Sequence, residues 1–554
     1  MEEDIRARLS AAEPPAPLDR RDAAAVGTLL VFPLAAYAPV LSQWWTGDDT
    51  QIVRHALSHP LREILTFPAA WRDLTWLYFT PQVTVAARLD MALFGLNPRG
   101  WYAHHLLVLG AAAALLYVLV CRASGRIAAF LAALLLLLGP PTAEVSRQLY
   151  SRHYAAGLAF SLAALLLYRA AVARRSWGAA AAAAGAVLLA MLCKEVFAAV
   201  PFVALAWPCG ARRERARFAI PLFAALAAYL PWRHAMVGWW GGVRDAGEPL
   251  RRAAEAVAGF PGAIAGLPQL AGAVLLVVAL VLLRPTLEEA AAIAVTAAVV
   301  VGPLTLLRDA PAGRYAFAPL AAAAALAGVA AGRGLRSGGP RRALAAALLL
   351  GILVPAVLKN RALLAAASPV QARSRAEGRF AFERSAPGDV LYRPADPAWF
   401  FDGLGWMRAF EGRGTGGTVL FDGLPLCDAA LRPRVFVFDA ESGRVERAAA
   451  STALGFDADC ARLDRTMRLS GSFTYRDSVL KWRLAPDEGG SWTLLSGDSA
   501  SPFAVPREGT YFILVKEVAT FRVRHEAADG RLGLGPTVTL RVRGGEAEAS
   551  FVSP

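Results

Sequence analysis

Lysine is almost missing from this chain: only four of its 58 basic residues are lysines, at positions 194, 359, 481 and 516. Charge of either sign is missing over long stretches. Eleven long runs hold no Asp, Glu, Lys or Arg: 23–47, 100–121, 127–143, 153–168, 176–193, 196–211, 218–232, 256–283, 290–307, 315–332 and 343–358. A membrane helix needs about 20 mostly apolar residues, about 17 at the least, and flanking arginines extend a short run by snorkelling to the interface. This lack of charge, with 56% apolar residues and a mean hydropathy of +0.41, excludes an ordinary soluble protein. It predicts a polytopic α-helical membrane protein with about 11 transmembrane helices.

The net charge of +14 is laid out as topology, which argues against a nucleic-acid partner. Arginines gather after the second, fourth, sixth, eighth and tenth runs, as in Arg122 and Arg126, Arg169 to Arg175, and Arg212 to Arg217. The intervening connections carry fewer. Cytoplasmic loops are the Lys/Arg-rich ones, so the N-terminus is expected inside and the C-terminal tail outside. Alanine- and arginine-heavy usage suggests a GC-rich bacterium, hence a cytoplasmic (inner) membrane and a periplasmic tail. The polar leader is too long, and the apolar run after it too extended, for a cleaved signal peptide. Of the five cysteines, only Cys427 and Cys460 fall in the exported tail, where oxidation permits a disulfide between them.

The pattern divides the chain into a cytoplasmic leader, 1–22, a transmembrane domain, 23–360, and a periplasmic β-rich domain, 375–554. The first outside loop, 44–100, is long and structured. Its "DTQIVRHALSHPLREILTF" places Ile52, Val53, Ala56 and Leu57 on one helical face, as in a helix lying on a membrane surface. "TVAARLDMALFGLNPRG" is a second amphipathic segment, stopped at its Gly and Pro. Trp239 and Trp240, in a second outside loop, suit the membrane interface. In the tail, "SGSFTYRDSVLKWRL", "TFRVRHEAADGRLGL" and "TVTLRVRG" alternate between turns, predicting a sandwich. Residues 387–450 are mixed, with one strand-like run among them, "RVFVFDAESGRV".

Against this background Lys194 stands out. Where arginine is the default, a lone lysine among the spans points to a need for a compact ammonium rather than a planar fork. An ion pair with Glu195, or snorkelling, is the plainer reading. Asp48 and Asp49 follow the first apolar run together, and adjacent side chains point in different directions, so the two acids are expected to take different tasks. Asp48 with Gln51 also resembles a helix-opening capping box. Asp48, Asp49, His55 and His59 offer ligands for a divalent cation, although the histidines read better as surface residues, and no cofactor is required.

Several phrases resemble, in order, the GT-C glycosyltransferases, in particular the protein O-mannosyltransferase and aminoarabinose-transferase group. They are "GDDTQIV" after the first run, "FTPQVTVAARLDMALFGLNPRGWYAHHLL", "SRQLYSRHYAAGLAFSLAALLLY", "LLAMLCKEVFAAVPFVALAW" and "RDAPAGRYAFAPLAAAAAL". The resemblance covers about residues 20–358 and omits the tail. It implies transfer of a sugar from a polyprenyl-phosphate donor to a glycan, lipid or protein acceptor at the outer face of the bilayer. By the same pattern, Asp49 or Asp48 is the general base, with Asp49 preferred. The donor phosphate falls to Lys194, Arg314, Arg152, Arg308 and Tyr315, and the acceptor and sugar region to His104, His105 and Arg147. His104 and His105 replace an Asn common in relatives, and Thr80-Pro81 replaces Arg-Pro, which leaves the identity of the sugar open. The rival classes are a polytopic lipid or glycan flippase, and a membrane assembly protein with a glycan-binding β domain. The first predicts inverted halves with midplane acids; the sequence shows neither.

Overall fold

A computed structural model describes residues 18–46, 48–75, 78–238, 259–306, 313–380, 384–386, 388–393, 418–420, 422–427, 434–448, 456–476, 479–486, 489–496, 501–512, 518–543 and 546–553. The chain divides into two compact units: residues 1–45 with 52–368, and residues 46–51 with 369–554. It is a polytopic helical chain with a β-rich C-terminal unit.

The first unit is built from helices whose ends follow local chemistry. Helix Arg20–Ala36 opens on a capping box, in which Asp19 accepts the Asp22 amide at 3.0 Å and Asp22 accepts the Asp19 amide at 3.1 Å. Two of the amides that a helix start leaves unpaired are thereby satisfied. Asp22 also receives Arg126 Nε and the Tyr117 hydroxyl, each at 2.8 Å, which ties this helix to Pro98–Ser124 and Arg126–Leu138. Close approach needs small residues where lipid offers no hydrophobic drive between helices. At Gly110 a Cβ would stand 2.1 Å from the Leu30 carbonyl oxygen, and at Gly328 it would stand 2.6 Å from the Ala132 nitrogen.

By length and composition five helices can cross a membrane: Pro98–Ser124, Leu149–Arg174, Leu287–Leu304, Gly313–Arg336 and Pro340–Arg379. Two bent pairs raise the number to seven among the described residues, so the expected count of eleven does not emerge. Run 127–143 bends by 56° between Leu138 and Pro140, and 256–283 bends by 87° within its described part. Run 196–211 shortens to a 3-10 turn and the seven-residue helix Val200–Ala206. Lack of charge permits burial in lipid, but it does not enforce a straight helix, because packed neighbours can satisfy a broken backbone.

The long first loop is indeed structured, by the helices Asp49–Ser58, Leu61–Thr66, Pro68–Arg72 and Pro81–Phe94. Its first helix differs from the surface helix read from the sequence. Ile52, Val53 and Ala56 are buried, and so is His55, at 1% exposure, while Leu57 is exposed. His55 Nε2 donates to the Ala70 carbonyl at 2.8 Å, leaving Nδ1 to meet the Thr84 hydroxyl at 3.3 Å. His59 bonds Asp73 at 3.1 Å. The pair expected on the surface is thus packing and bonding within the loop. The leader before residue 18, and Trp239 and Trp240, lie outside the described residues.

The second unit contains three sheets. Strands β1 (Val390–Tyr392), β2 (Thr418–Leu420), β3 (Val435–Asp439) and β4 (Arg444–Arg447) form one, in the order β2-β1-β3-β4, with β1 parallel to both neighbours. Strands β3 and β4 fall on the strand-like run "RVFVFDAESGRV", whereas β1 and β2 lie in the mixed part of this stretch. The other two are antiparallel. One contains β5 (Ser470–Arg476), β6 (Val479–Ala485), β9 (Glu508–Phe512) and β13 (Glu546–Val552). Its companion contains β7 (Gly490–Ser496), β8 (Ser501–Val505), β10 (Val518–Ala527), β11 (Leu532–Leu534) and β12 (Val538–Arg541). Phe473, Trp482 and Leu484 from the first sheet share a core with Trp492, Phe521 and Leu540 from its companion, which is the expected sandwich.

Cys427 and Cys460 are disulfide-bonded across 33 residues of sequence. Closing a loop of that size restricts the unfolded chain, so Cys427→Ser should cost the C-terminal unit about 2–4 kcal/mol. Denaturant unfolding followed by tryptophan fluorescence checks this, and the same loss should appear in wild type under reducing conditions.

Candidate functional site

Lys194 sits where helix Trp177–Cys193 ends and the 3-10 turn Glu195–Ala199 begins. Its backbone is extended there, with φ −161° and ψ 140°, so the break in the helix turns the side chain out of the helical path. The ammonium lies 3.4 Å from the centroid of the Tyr78 ring and 5.8 Å from that of Tyr154. Tyr154 meets Tyr315 edge to face at 6.4 Å, and the Arg314 guanidinium lies 5.2 Å from the Tyr315 ring. Arg314 also donates to the Tyr150 hydroxyl at 3.0 Å. Lys194 and Arg314, far apart in sequence, are therefore joined through a wall of tyrosines. Each cation is held by ring faces.

Among the described residues no ion pair joins Lys194 to Glu195, whose carboxylate has other partners. Glu195 instead receives the Phe79 amide at 2.9 Å and Arg233 Nε at 3.2 Å. Those bonds hold the segment carrying Tyr78 close to the Lys194 turn. His153 lies beside Tyr154, the two rings tilted by 36° with their centroids 4.5 Å apart.

Arg152 and Arg147, and the two histidines read with the sugar region, have other partners. Arg152 is buried at 3% exposure, and its Nη1 donates to Asp90, which is wholly buried. Its Nη2 donates to the Trp101 carbonyl at 2.8 Å. The other Asp90 oxygen receives His104 Nδ1 at 2.5 Å, so Arg152, Asp90 and His104 make a triad between the Pro81–Phe94, Pro98–Ser124 and Arg152–Arg174 helices. Removing one member of a buried pair strands the other charge. Arg152→Met should therefore destabilise the folded chain by about 3–5 kcal/mol, whereas Asp90→Leu combined with Arg152→Met should restore most of it. Thermal unfolding in detergent reads both. His105 is buried and donates from Nε2 to the Val145 carbonyl at 2.8 Å. Arg147 is paired with Glu144 at 2.6 Å. Arg308 lies outside the described residues.

The two loop acids part company as adjacent residues should. Asp48 is exposed, and Asp49 is buried at 3% exposure. Asp49 Oδ2 accepts the Thr46 amide at 2.9 Å, and the Asp49 amide donates to the Thr46 carbonyl at 3.1 Å. The carboxylate that closes the turn onto Thr46 is thus that of Asp49. Among the described residues no group of three His, Cys, Asp or Glu side chains is arranged to hold a metal ion.

A cavity of about 1880 Å³ runs through the first unit. Its wall includes Leu158, Val196, Phe197, Ala318 and Pro319, each within a helical turn or so in sequence of Tyr154, Lys194 or Tyr315. Pockets for drug-sized molecules measure about 300–1,000 Å³. This one is larger, and its lining is mostly apolar.

No protein-family model matches the chain, and no curated protein does. Among solved structures, ArnT from Cupriavidus metallidurans, described as bound to undecaprenyl phosphate, is similar over 71% of this chain and 85% of its own, with 17% identity and a TM-score of 0.44. A likeness that weak carries no argument. What the site does rests on its own residues.

Sequence reasoning missed Tyr78, Asp90 and the Glu195–Arg233 pair. Tyr78 lies within an aromatic cluster, "WLYF", which was the one available signal. Nothing local in the sequence marks Tyr150 and Tyr154 as partners of Arg314 and Lys194.

Proposed function

We propose that this chain is a GT-C-type membrane glycosyltransferase, which moves a sugar from a polyprenyl-phosphate donor to a glycan, lipid or protein acceptor at the periplasmic face of a bacterial inner membrane. The observation that carries the reading is the Lys194–Arg314 tyrosine cluster beside a large apolar cavity. That combination suits a lipid phosphate, with the anion against two cations and tyrosine hydroxyls and the chain among apolar helices. The acceptor hydroxyl attacks the anomeric carbon and loses its proton to a loop carboxylate. The bond from that carbon to the phosphate oxygen breaks, and polyprenyl phosphate leaves with the bonding pair. Lys194 and Arg314 stabilise the charge that develops on it.

Within this reading Asp48, the exposed acid, is the base, and the buried Asp49 holds the turn. This reverses the preference drawn from the sequence. Arg152 and His104 position the helices around Asp90 instead of touching the donor, and Arg147 is neutralised by Glu144. The N-terminus is cytoplasmic and the sandwich periplasmic, as the arginine distribution suggests.

Membranes containing the chain, supplied with polyprenyl-phosphate sugars labelled in the sugar, test the proposal. Release of polyprenyl phosphate together with labelled acceptor is the expected result. Transbilayer movement of the intact donor without its cleavage would replace it with the flippase reading.

A further inference from the structure

The Leu149–Arg174 helix carries Tyr154 near one end and Arg169 near the other. Fifteen residues of α-helix separate them by about 22 Å, which approaches the thickness of a bilayer's hydrocarbon core. Arg169 and Arg122 both line the apolar cavity. The last turns of two neighbouring helices therefore bring a second pair of cations to the end away from Lys194.

The other charges on the cavity wall at this end are neutralised. Glu214 lies 3.6 Å from Arg175, Glu288 lies 2.6 Å from Arg215, and Glu289 lies 2.8 Å from Arg333. Arg122 and Arg169 form no ion pair among the described residues. Instead Arg169 Nη2 donates to the Arg122 carbonyl at 2.9 Å, which fixes the two arginines side by side. Among the described residues Arg122 Nε and Arg169 Nη1 are buried with no hydrogen-bond partner. Buried donors on like charges are costly unless an anion meets them. Arginine is also the side chain best suited to the planar edge of a phosphate.

We propose that Arg122 and Arg169 form a second lipid-phosphate site at the opposite end of the cavity, taking the phosphate of a polyprenyl monophosphate whose chain lies in the cavity. The identity of the lipid rests on the function proposed above; the placement of the anion does not. The two sites put one class of headgroup at both faces of the bilayer, served by a single apolar passage.

The test uses the full chain in nanodiscs of phosphatidylcholine, photo-crosslinked with a benzophenone-bearing farnesyl phosphate and mapped by peptide mass spectrometry. Two saturable crosslinking regions are expected, one around Lys194 and Arg314, the other around Arg122 and Arg169. Arg122→Gln with Arg169→Gln should weaken the second at least tenfold and leave the first. Labelling confined to the Lys194 region would overturn the second site and leave the proposed function standing. Labelling confined to the Arg122 region would do the reverse. The matching benzophenone farnesol, which lacks the phosphate, should leave the Arg122 region unlabelled; equal labelling would overturn phosphate recognition. Competition by inorganic phosphate as strong as that by farnesyl phosphate would reassign the site to a free anion. The wild-type map and these two controls decide the matter even if the double variant fails to fold.

Discussion

Lys194→Met should lower the rate of sugar transfer by about 10²–10³-fold, the usual effect of removing one preorganised charge from a developing anion. Methionine keeps the length and the apolar contact with the tyrosine rings and removes only the ammonium, so the loss reports charge. The effect should fall on kcat more than on KM, because a cation that meets the leaving phosphate gains most as that charge develops. Arg314→Gln should act in the same direction and less strongly, since Arg314 already spends one donor on the Tyr150 hydroxyl at 3.0 Å. Lys194→Arg is the more pointed variant. It preserves charge, but the ammonium is seated 3.4 Å from the Tyr78 centroid, and a guanidinium is broader there. Partial activity is expected. Full activity of Lys194→Met, measured as polyprenyl phosphate released from the labelled donor, would remove Lys194 from the mechanism.

Lys194 was legible because of what surrounds it in the composition: a lysine in a chain that otherwise uses arginine is a choice visible without a structure. Arg314 was legible only through a phrase shared with a family. That the two belong to one cluster was not legible, because Tyr78, Tyr154 and Tyr315 come from distant parts of the chain and meet only after the helices pack. Arg152 shows the opposite failure. Its place in a family phrase pointed to the donor, but its buried partner, Asp90, reads in sequence as an ordinary polar position on an amphipathic helix. An ion pair across the bundle has no local signature. The same physical limit applies to the spans. Missing charge marks the residues that lipid accepts, but the bend between Leu138 and Pro140 depends on how neighbours satisfy the backbone. In the C-terminal unit the sandwich strands, many of them seven residues or longer, showed their alternation, and the run "RVFVFDAESGRV" marked β3 and β4, whereas β1 and β2 have only three residues each, too few for a period to emerge.

The loop acids should separate cleanly. Asp48→Asn should reduce transfer by about 10²–10⁴-fold, the range expected when a positioned general base is removed, with the fold retained, because the side chain is exposed. Asp49→Asn should leave transfer within severalfold of wild type. Its amide oxygen can still accept the Thr46 amide, the bond that the Asp49 carboxylate makes at 2.9 Å. Asp49→Ala cannot, and should cost about 0.5–2 kcal/mol, as other lost helix-start bonds do. Its loss of activity should follow the loss of fold. The pH profile separates the roles further: a base contributes a limb on which activity rises as the carboxyl ionises, and that limb should vanish in Asp48→Asn and persist in Asp49→Asn. If Asp49→Asn abolishes transfer while Asp48→Asn preserves it, the base is Asp49, and burial marks the reactive acid instead of the structural one. If neither variant slows the reaction, the proton leaves by another route, and the two acids serve only to open the Asp49–Ser58 helix.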